Sequence, residues 1–241
     1  MNREDIWTVT PVLTGKFGMV RDDIKYRNGD SEIEEYVPSV LFLLENGRDQ
    51  VVVDTGFAEP DVCAEKLGLL VERNGSYKEL LKETGIIREH VRTVIFTHLH
   101  WDHAGNAEYF PNAIFYCQKR EWMRAETYPQ EYPPLWLSYL KNNKEKLELL
   151  DGNGRIEIIP GISVQYTGGH TYGSQIIFIE TCSGTEIIAG DVVMTERNLK
   201  QLIPVGLCVN EAECEQALQI IKESGASRVY PSHDFSLWNG R

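Results

Sequence analysis

The 241-residue sequence predicts a fold of mixed α and β structure, on three observations. Apolar runs of strand length recur along the chain, several of them rich in Val and Ile. Segments with helix-like apolar spacing stand between them, and turn-forming residues mark many of the changeovers.

In chain order, the strand-like runs are residues 39–44, 51–54, 91–97, 113–117, 156–159, 163–166, 175–179 and 186–189, with a last strand at 228–230. Helical spacing appears at 60–71, 77–84, 120–125, 139–149 and 211–224, several of these segments being closed by Gly. The order is two early strands, mixed helices and strands to about Leu150, a four-strand run, a helix and a final strand. It suggests two αβ halves, with Asp151-Gly-Asn-Gly154 as the seam. Four residues make a tight joint rather than a linker, so residues 1–241 are expected to form a single domain.

Bulk properties narrow the function. A formal charge of −12 disfavours nucleic acid and anionic membrane surfaces as general partners, because both need a cationic face. No apolar run approaches the roughly 18 residues a membrane helix requires, and the acidic opening Met-Asn-Arg-Glu-Asp does not look like a secretory signal. The five cysteines, Cys63, Cys117, Cys182, Cys208 and Cys214, are odd in number and scattered, without a C-x-x-C pair. A disulfide framework and a thiolate zinc site are both disfavoured. The expectation is a soluble cytoplasmic protein acting on a small molecule.

Chemistry concentrates in the histidines. Of six, five sit in or beside turns after predicted strands: His98, His100 and His103, then His170, then His233. In Thr97-His-Leu-His-Trp-Asp-His103, His98 and His100 alternate and would project to one side of an extended segment. Asp102 is placed to open a helix through 104–109, so that Asp102 and His103 aim differently from the first pair. Three histidines and an aspartate within six residues are costly to desolvate without a shared partner. Imidazole and carboxylate donors together suit zinc, with iron, manganese or cobalt as alternatives. His90, outside the pattern, is expected to be an ordinary solvated or packed residue.

This H-x-H-x-D-H run, followed at a distance by His, Asp and His, resembles the signature of the metallo-β-lactamase superfamily. Val52-Val-Asp-Thr-Gly56 is similar to the family's early strand and turn, and Gly168-Gly-His-Thr-Tyr-Gly-Ser174 to its second histidine loop. Ala189-Gly-Asp191 resembles its bridging aspartate segment and Pro231-Ser-His-Asp234 its last histidine. The resemblance spans most of the chain and implies an α+β fold, an αββα sandwich of two mixed sheets with metals at one sheet edge. It further implies that His98, His100 and His170 hold one metal ion, that Asp102, His103 and His233 hold a second, and that Asp191 bridges them. Asp54 would support a ligand.

Two zinc ions so held would generate a bridging hydroxide to attack a carbonyl, with Asp102, His103 and Asp191 nearest the reaction and Asp102 orienting the nucleophile or relaying its proton. No G-x-S-x-G elbow, H-E-x-x-H helix or glycine-rich phosphate loop offers another mechanism. Flavodiiron proteins carry a glutamate at the position of His100, and one class of β-lactamases a cysteine at Asp191, so both roles are disfavoured. The length, Asp191 and His233-Asp234 are most similar to N-acyl homoserine lactonases. Those enzymes carry a tyrosine three residues after the bridging aspartate, where this sequence has Met194, which cannot donate a hydrogen bond. Tyr172, Tyr26 and Tyr36 are candidates to replace it.

A lactonase is therefore the leading expectation. A thioesterase of the glyoxalase II kind and a small-molecule phosphodiesterase are alternatives, and a non-catalytic metal-binding module is the minority reading. A homodimer is expected at the family level. The aromatic stretch 121–139 is either a wall over the metals or the packing of a peripheral helix, and residues 26–36 either a substrate-covering loop or ordinary turns, with turns favoured.

Overall fold

A computed structural model describes residues 5–68, 70–132 and 134–238. The first half runs β1 (Thr8–Arg21), α1 (Asp22–Lys25), β2 (Glu34–Glu45), β3 (Gln50–Val53), α2 (Pro60–Leu67), β4 (Leu70–Glu72), α3 (Tyr77–Glu83), β5 (Thr93–Ile95), β6 (Ile114–Gln118), α4 (Lys119–Thr127), α5 (Pro134–Asn142) and β7 (Leu147–Leu150). The second runs β8 (Arg155–Ile159), β9 (Ile162–Tyr166), β10 (Gln175–Thr181), β11 (Gly184–Ile188), α6 (Glu196–Gln201), α7 (Glu211–Glu223) and β12 (Arg228–Tyr230).

Two mixed sheets result, a seven-stranded one in the order β4-β1-β2-β3-β5-β6-β7 and a five-stranded one in the order β12-β11-β10-β9-β8. Strands β3, β5, β6 and β7 run parallel, as do β11 and β12, and the other pairings are antiparallel. Asp151-Gly-Asn-Gly154 connects the last strand of one sheet to the first strand of the other.

The layering follows from side chains alternating across each strand. On β2, Leu41 and Leu43 join a core with Tyr77 and Leu81 of α3, Trp122 and Ala125 of α4, and Leu137 and Leu140 of α5. Their neighbours Val40, Phe42 and Leu44 face the other way, into a second core with Ile177 and Ile179 of β10 and Ile188 of β11. Beyond that sheet, Ile176 and Phe178 pack with Ala217, Leu218 and Ile221 of α7. Four layers, αββα, are thus joined by three apolar interfaces. Each fully buried side chain of this kind stabilises the fold by about 1.5–3 kcal/mol.

The structure corrects four expectations. Strand β1 carries Pro11, Gly15 and Gly18, and its pairing with β2 slips between Leu13 and Gly15 and again between Phe17 and Val20. Such irregularities erase the alternation by which a strand is read. Predicted helix 139–149 ends at Asn142, and Leu147 and Leu149 belong instead to β7, opposite Phe115 and Cys117. Predicted helix 60–71 stops at Leu67; Leu69 lies outside the described residues, and Leu70 and Val71 are in β4. The helix expected over 104–109 is only a 3-10 turn at Ala107–Tyr109, because Gly105 and Asn106 donate their N–H groups to Gly56 O and Thr55 Oγ1. Between Tyr26 and β2 the chain forms turns, with Gly29 bonded to Tyr26 O and Ile33 to Asp30 O.

Candidate metal centre

The carboxyl ends of β3, β5, β11 and β12 open on one edge of the sandwich. Asp54 follows β3, His98, His100, Asp102 and His103 follow β5, Asp191 follows β11 and His233 follows β12; His170 joins them from the β9–β10 loop. All seven predicted residues are brought together. Their ligand atoms form three overlapping groups, His98 with His100 and His170, His98 with His103 and Asp191, and Asp102 with His103 and His233. Within each group the atoms lie within 4.8 Å of one another. His90 is exposed and apart from them.

Asp191 lies between the two sides. Its Oδ2 is 3.3 Å from His170 Nε2 and 3.9 Å from His98 Nε2, while Oδ1 is 3.2 Å from both His103 Nε2 and His233 Nε2. Asp102 Oδ2 is 3.6 Å from His103 Nε2 and 3.5 Å from His233 Nε2. Ligand atoms of a tetrahedral ion with bonds of about 2.0–2.1 Å stand about 3.3 Å apart, and the carboxylate–imidazole separations here run from 3.2 to 3.9 Å. His98 Nε2, His103 Nε2 and Asp191 Oδ1 are buried and have no hydrogen-bond partner among the described residues. Three orphaned polar atoms on one cluster are expensive unless cations satisfy them. The donor set therefore fits a pair of divalent cations.

The ring orientations are set from behind. His103 Nδ1 is 2.7 Å from Asp54 Oδ2, His170 Nδ1 donates to Leu207 O at 2.7 Å, and His233 Nδ1 donates to Pro38 O at 2.8 Å. In each ring this leaves Nε2 facing the cluster as the lone-pair nitrogen. Asp54 is itself pinned, accepting from Thr97 N at 2.7 Å and Thr97 Oγ1 at 2.8 Å. The turn carrying His103 is locked to the β3 loop through Thr55 N to His103 O at 2.6 Å and Asn106 Nδ2 to Phe57 O at 2.6 Å. Gly105 makes this approach sterically feasible, since a Cβ there would fall 2.5 Å from Ala58 N.

Burial opposes charge on His98, His100, His103, His233, Asp191 and Asp54. It pushes His98 and His100 well below the ordinary imidazole value, aided by the neighbouring rings, so both are neutral donors. At His103 and His233 the carboxylates, Asp191 foremost, outweigh burial and raise the imidazoles. Against the same burial, His233, His103, His170 and His98 hold the Asp191 carboxyl well below its usual range. Burial leaves Asp54 raised, although His103 and Thr97 pull it down.

An aromatic wall stands beside the cluster, only partly where the sequence suggested. Phe17 of β1 meets Trp101 at 5.0 Å and His233 at 5.3 Å between ring centroids, and Phe57 lies 6.1 Å from Trp101. Nothing in the spacing singled out Phe17. From the 121–139 segment, Tyr132, Trp122 and Leu137 pack in the helical core, and of these Tyr132 also lies 5.6 Å from His100; Pro133 lies outside the described residues. Met194 is buried against Val205, Cys214, Cys208 and Ile24. Of the tyrosines proposed in its place, Tyr26 bonds Thr195 Oγ1 at 2.7 Å, Tyr172 is exposed beneath Arg124, and Lys16 covers the ring of Tyr36.

The reading from sequence also missed Thr97, which braces Asp54, and Glu121. Glu121 falls with Trp122 and Ala125 on the buried face of α4, and a glutamate on an apolar face is the signal that was available.

Comparison with known proteins agrees with this geometry. Residues 36–233 match the metallo-beta-lactamase superfamily. N-acyl homoserine lactonase AiiA of Bacillus thuringiensis subsp. kurstaki is 31% identical over 182 residues, covering 70% of this chain and 69% of the relative. N-acyl homoserine lactonase AttM of Azorhizobium caulinodans is 24% identical over 241 residues, covering 90% and 89%. Among solved structures, an N-acyl homoserine lactone hydrolase with N-hexanoyl-L-homoserine at its catalytic metal centre superposes with a TM-score of 0.83 at 23% identity, covering 97% of this chain and 95% of that one. From the match over most of its length, the chain belongs to the metallo-β-lactamase superfamily.

Proposed function

We propose that this protein is a dinuclear metal-dependent hydrolase that opens lactones, N-acyl homoserine lactones or close relatives of them, with two zinc ions as its native metals. We further propose that it works in the cytoplasm, with residues 1–241 acting as one domain. The observation that carries the reading is Asp191, whose two oxygens face separate groups of imidazoles, as a residue shared by two cations would. The lactonase names of the relatives supply the substrate class.

A bound pair of divalent cations acidifies water and polarises a carbonyl, the chemistry a neutral ester needs. The ligand set of the proposal is His98, His100 and His170 on one side, Asp102, His103 and His233 on the other, and Asp191 between. Asp102 is the acid nearest the reaction: with Oδ2 beside both His103 and His233, it accepts the proton released by water and returns it to the leaving alkoxide. Asp54 keeps His103 oriented throughout. Phe17 and Trp101 exclude water from the reacting ester on their side and offer an apolar surface to an acyl group.

Purified protein of known metal content, offered acyl homoserine lactones, simple lactones, an acyl thioester and bis-p-nitrophenyl phosphate, tests the assignment. Preference for lactones is expected. Dominant thioester or phosphodiester turnover would move the substrate to that class and leave the metal centre standing.

A further inference from the structure

Glu121, at the start of α4, is completely buried, and a carboxylate is tolerated there only if its lone pairs are filled. Oε1 accepts from Leu99 N at 3.0 Å and from Tyr132 Oη at 3.0 Å, and Oε2 accepts from Gly173 N at 2.8 Å. Leu99 lies between His98 and His100, whereas Gly173 follows His170. One carboxylate thus spans the two loops that carry the three-imidazole group. The second loop lies directly on the helix, since a Cβ at Gly173 would fall 2.4 Å from Glu121 Cβ and 2.5 Å from Glu121 N. A parallel tie runs alongside: Gln118 Nε2 donates to Gln175 Oε1 at 2.8 Å, and Gln175 Nε2 to Phe96 O at 2.7 Å. The other side of the centre is held differently, by Asp54 behind His103 and the Pro38 carbonyl behind His233.

We propose that Glu121 is a positioning residue that sets the separation of the His98–His100 and His170 loops, and so controls the affinity of that imidazole group for its cation selectively. This rests on the dinuclear reading above. Every partner of Glu121 is a donor, so Glu121→Gln would turn an NH2 group toward N–H and O–H groups at nearly constant shape.

The experiment is calorimetric titration of the metal-free protein with zinc, on the wild type, on Glu121→Gln, on His233→Ala, which removes a ligand from the other side, and on the two combined. Wild type is expected to take two ions. Glu121→Gln should weaken one of them roughly 10–100-fold, and the loss should persist in the His233→Ala background. Tyr132→Phe, which removes one donor, should weaken the same ion roughly threefold to tenfold and carries the test if Glu121→Gln does not fold. Leu140→Ala, which opens the same core from α5 and removes none of the hydrogen bonds to Glu121, should lower the melting temperature and leave both affinities unchanged.

If the Glu121 and Tyr132 variants bind both ions as the wild type does, or if both ions weaken equally, the inference is overturned and the dinuclear reading stands. A matching loss in Leu140→Ala would also overturn it. A wild type that takes fewer than two ions overturns the dinuclear reading and the inference with it.

Discussion

The two halves of the chain build the metal centre by different means. The first contributes a contiguous run, His98 to His103, held by other side chains: Asp54 and Thr97 behind His103, Thr55 and Asn106 beneath its turn. The second contributes single residues, His170, Asp191 and His233, and its two imidazoles lean on backbone carbonyls, of Leu207 and Pro38. A carboxylate partner makes an imidazole more basic and is open to mutation, whereas a carbonyl is present whatever residue supplies it. The His103 ring is therefore tunable through the side chain directly behind it, whereas the direct partners of the His170 and His233 rings are insensitive to which residue supplies them.

That contrast is open to test. The largest effect is expected from Asp102→Asn, which keeps an oxygen near His103 and His233 but removes the proton acceptor. Turnover should fall about 10²–10⁴-fold with most of the metal retained, as measured by steady-state kinetics beside elemental analysis. Near-normal activity would remove Asp102 from the proton pathway.

Next comes Asp54→Asn. It leaves a group of the same shape behind His103 without the charge, and should weaken metal binding roughly 10–100-fold in a chelator competition. Unchanged affinity would mean that the turn around Thr55 and Asn106 orients His103 without help. The smallest effect belongs to Leu207→Ala in the other half. Leu207 is exposed, and its carbonyl stays bonded to His170, so metal affinity and stability should stay within about 0.5 kcal/mol of wild type. A loss as large as that of Asp54→Asn would abolish the proposed asymmetry between the halves.

The same asymmetry explains what was legible beforehand. Strands β2, β3, β6, β10 and β11 read clearly because they are regular and their apolar residues face packed layers on both sides. Strand β1 did not, because its two register shifts and its Pro and Gly residues break the alternation, although it carries the Phe17 ring that borders the site. Strand β7 was hidden because three leucines in a four-residue run fit a helix as well as an edge strand, and only pairing with β6 decides between them.

In the candidate site, the seven donors were evident by residue type, since histidine and aspartate crowded into turns have few other physical explanations. Their supports were less evident. Thr97 and Glu121 act through contacts that join positions 43 and 52 residues apart, and a threonine or a glutamate taken alone carries no mark of such a partner.

The sequence by itself determined which atoms could bind a cation, and, through its apolar runs and helix-like spacing, that strands and helices would share a core; the two-sheet sandwich was implied by the resemblance of its motifs. Those properties reside in single side chains and short-range periodicity. Tertiary structure alone decided that Asp191 turns one oxygen to each side of the cluster, that Phe17 and Trp101 share a wall, and that Glu121 joins two histidine loops. Each of these depends on the register and crossing of strands distant in the chain, set by the packing of the whole sandwich.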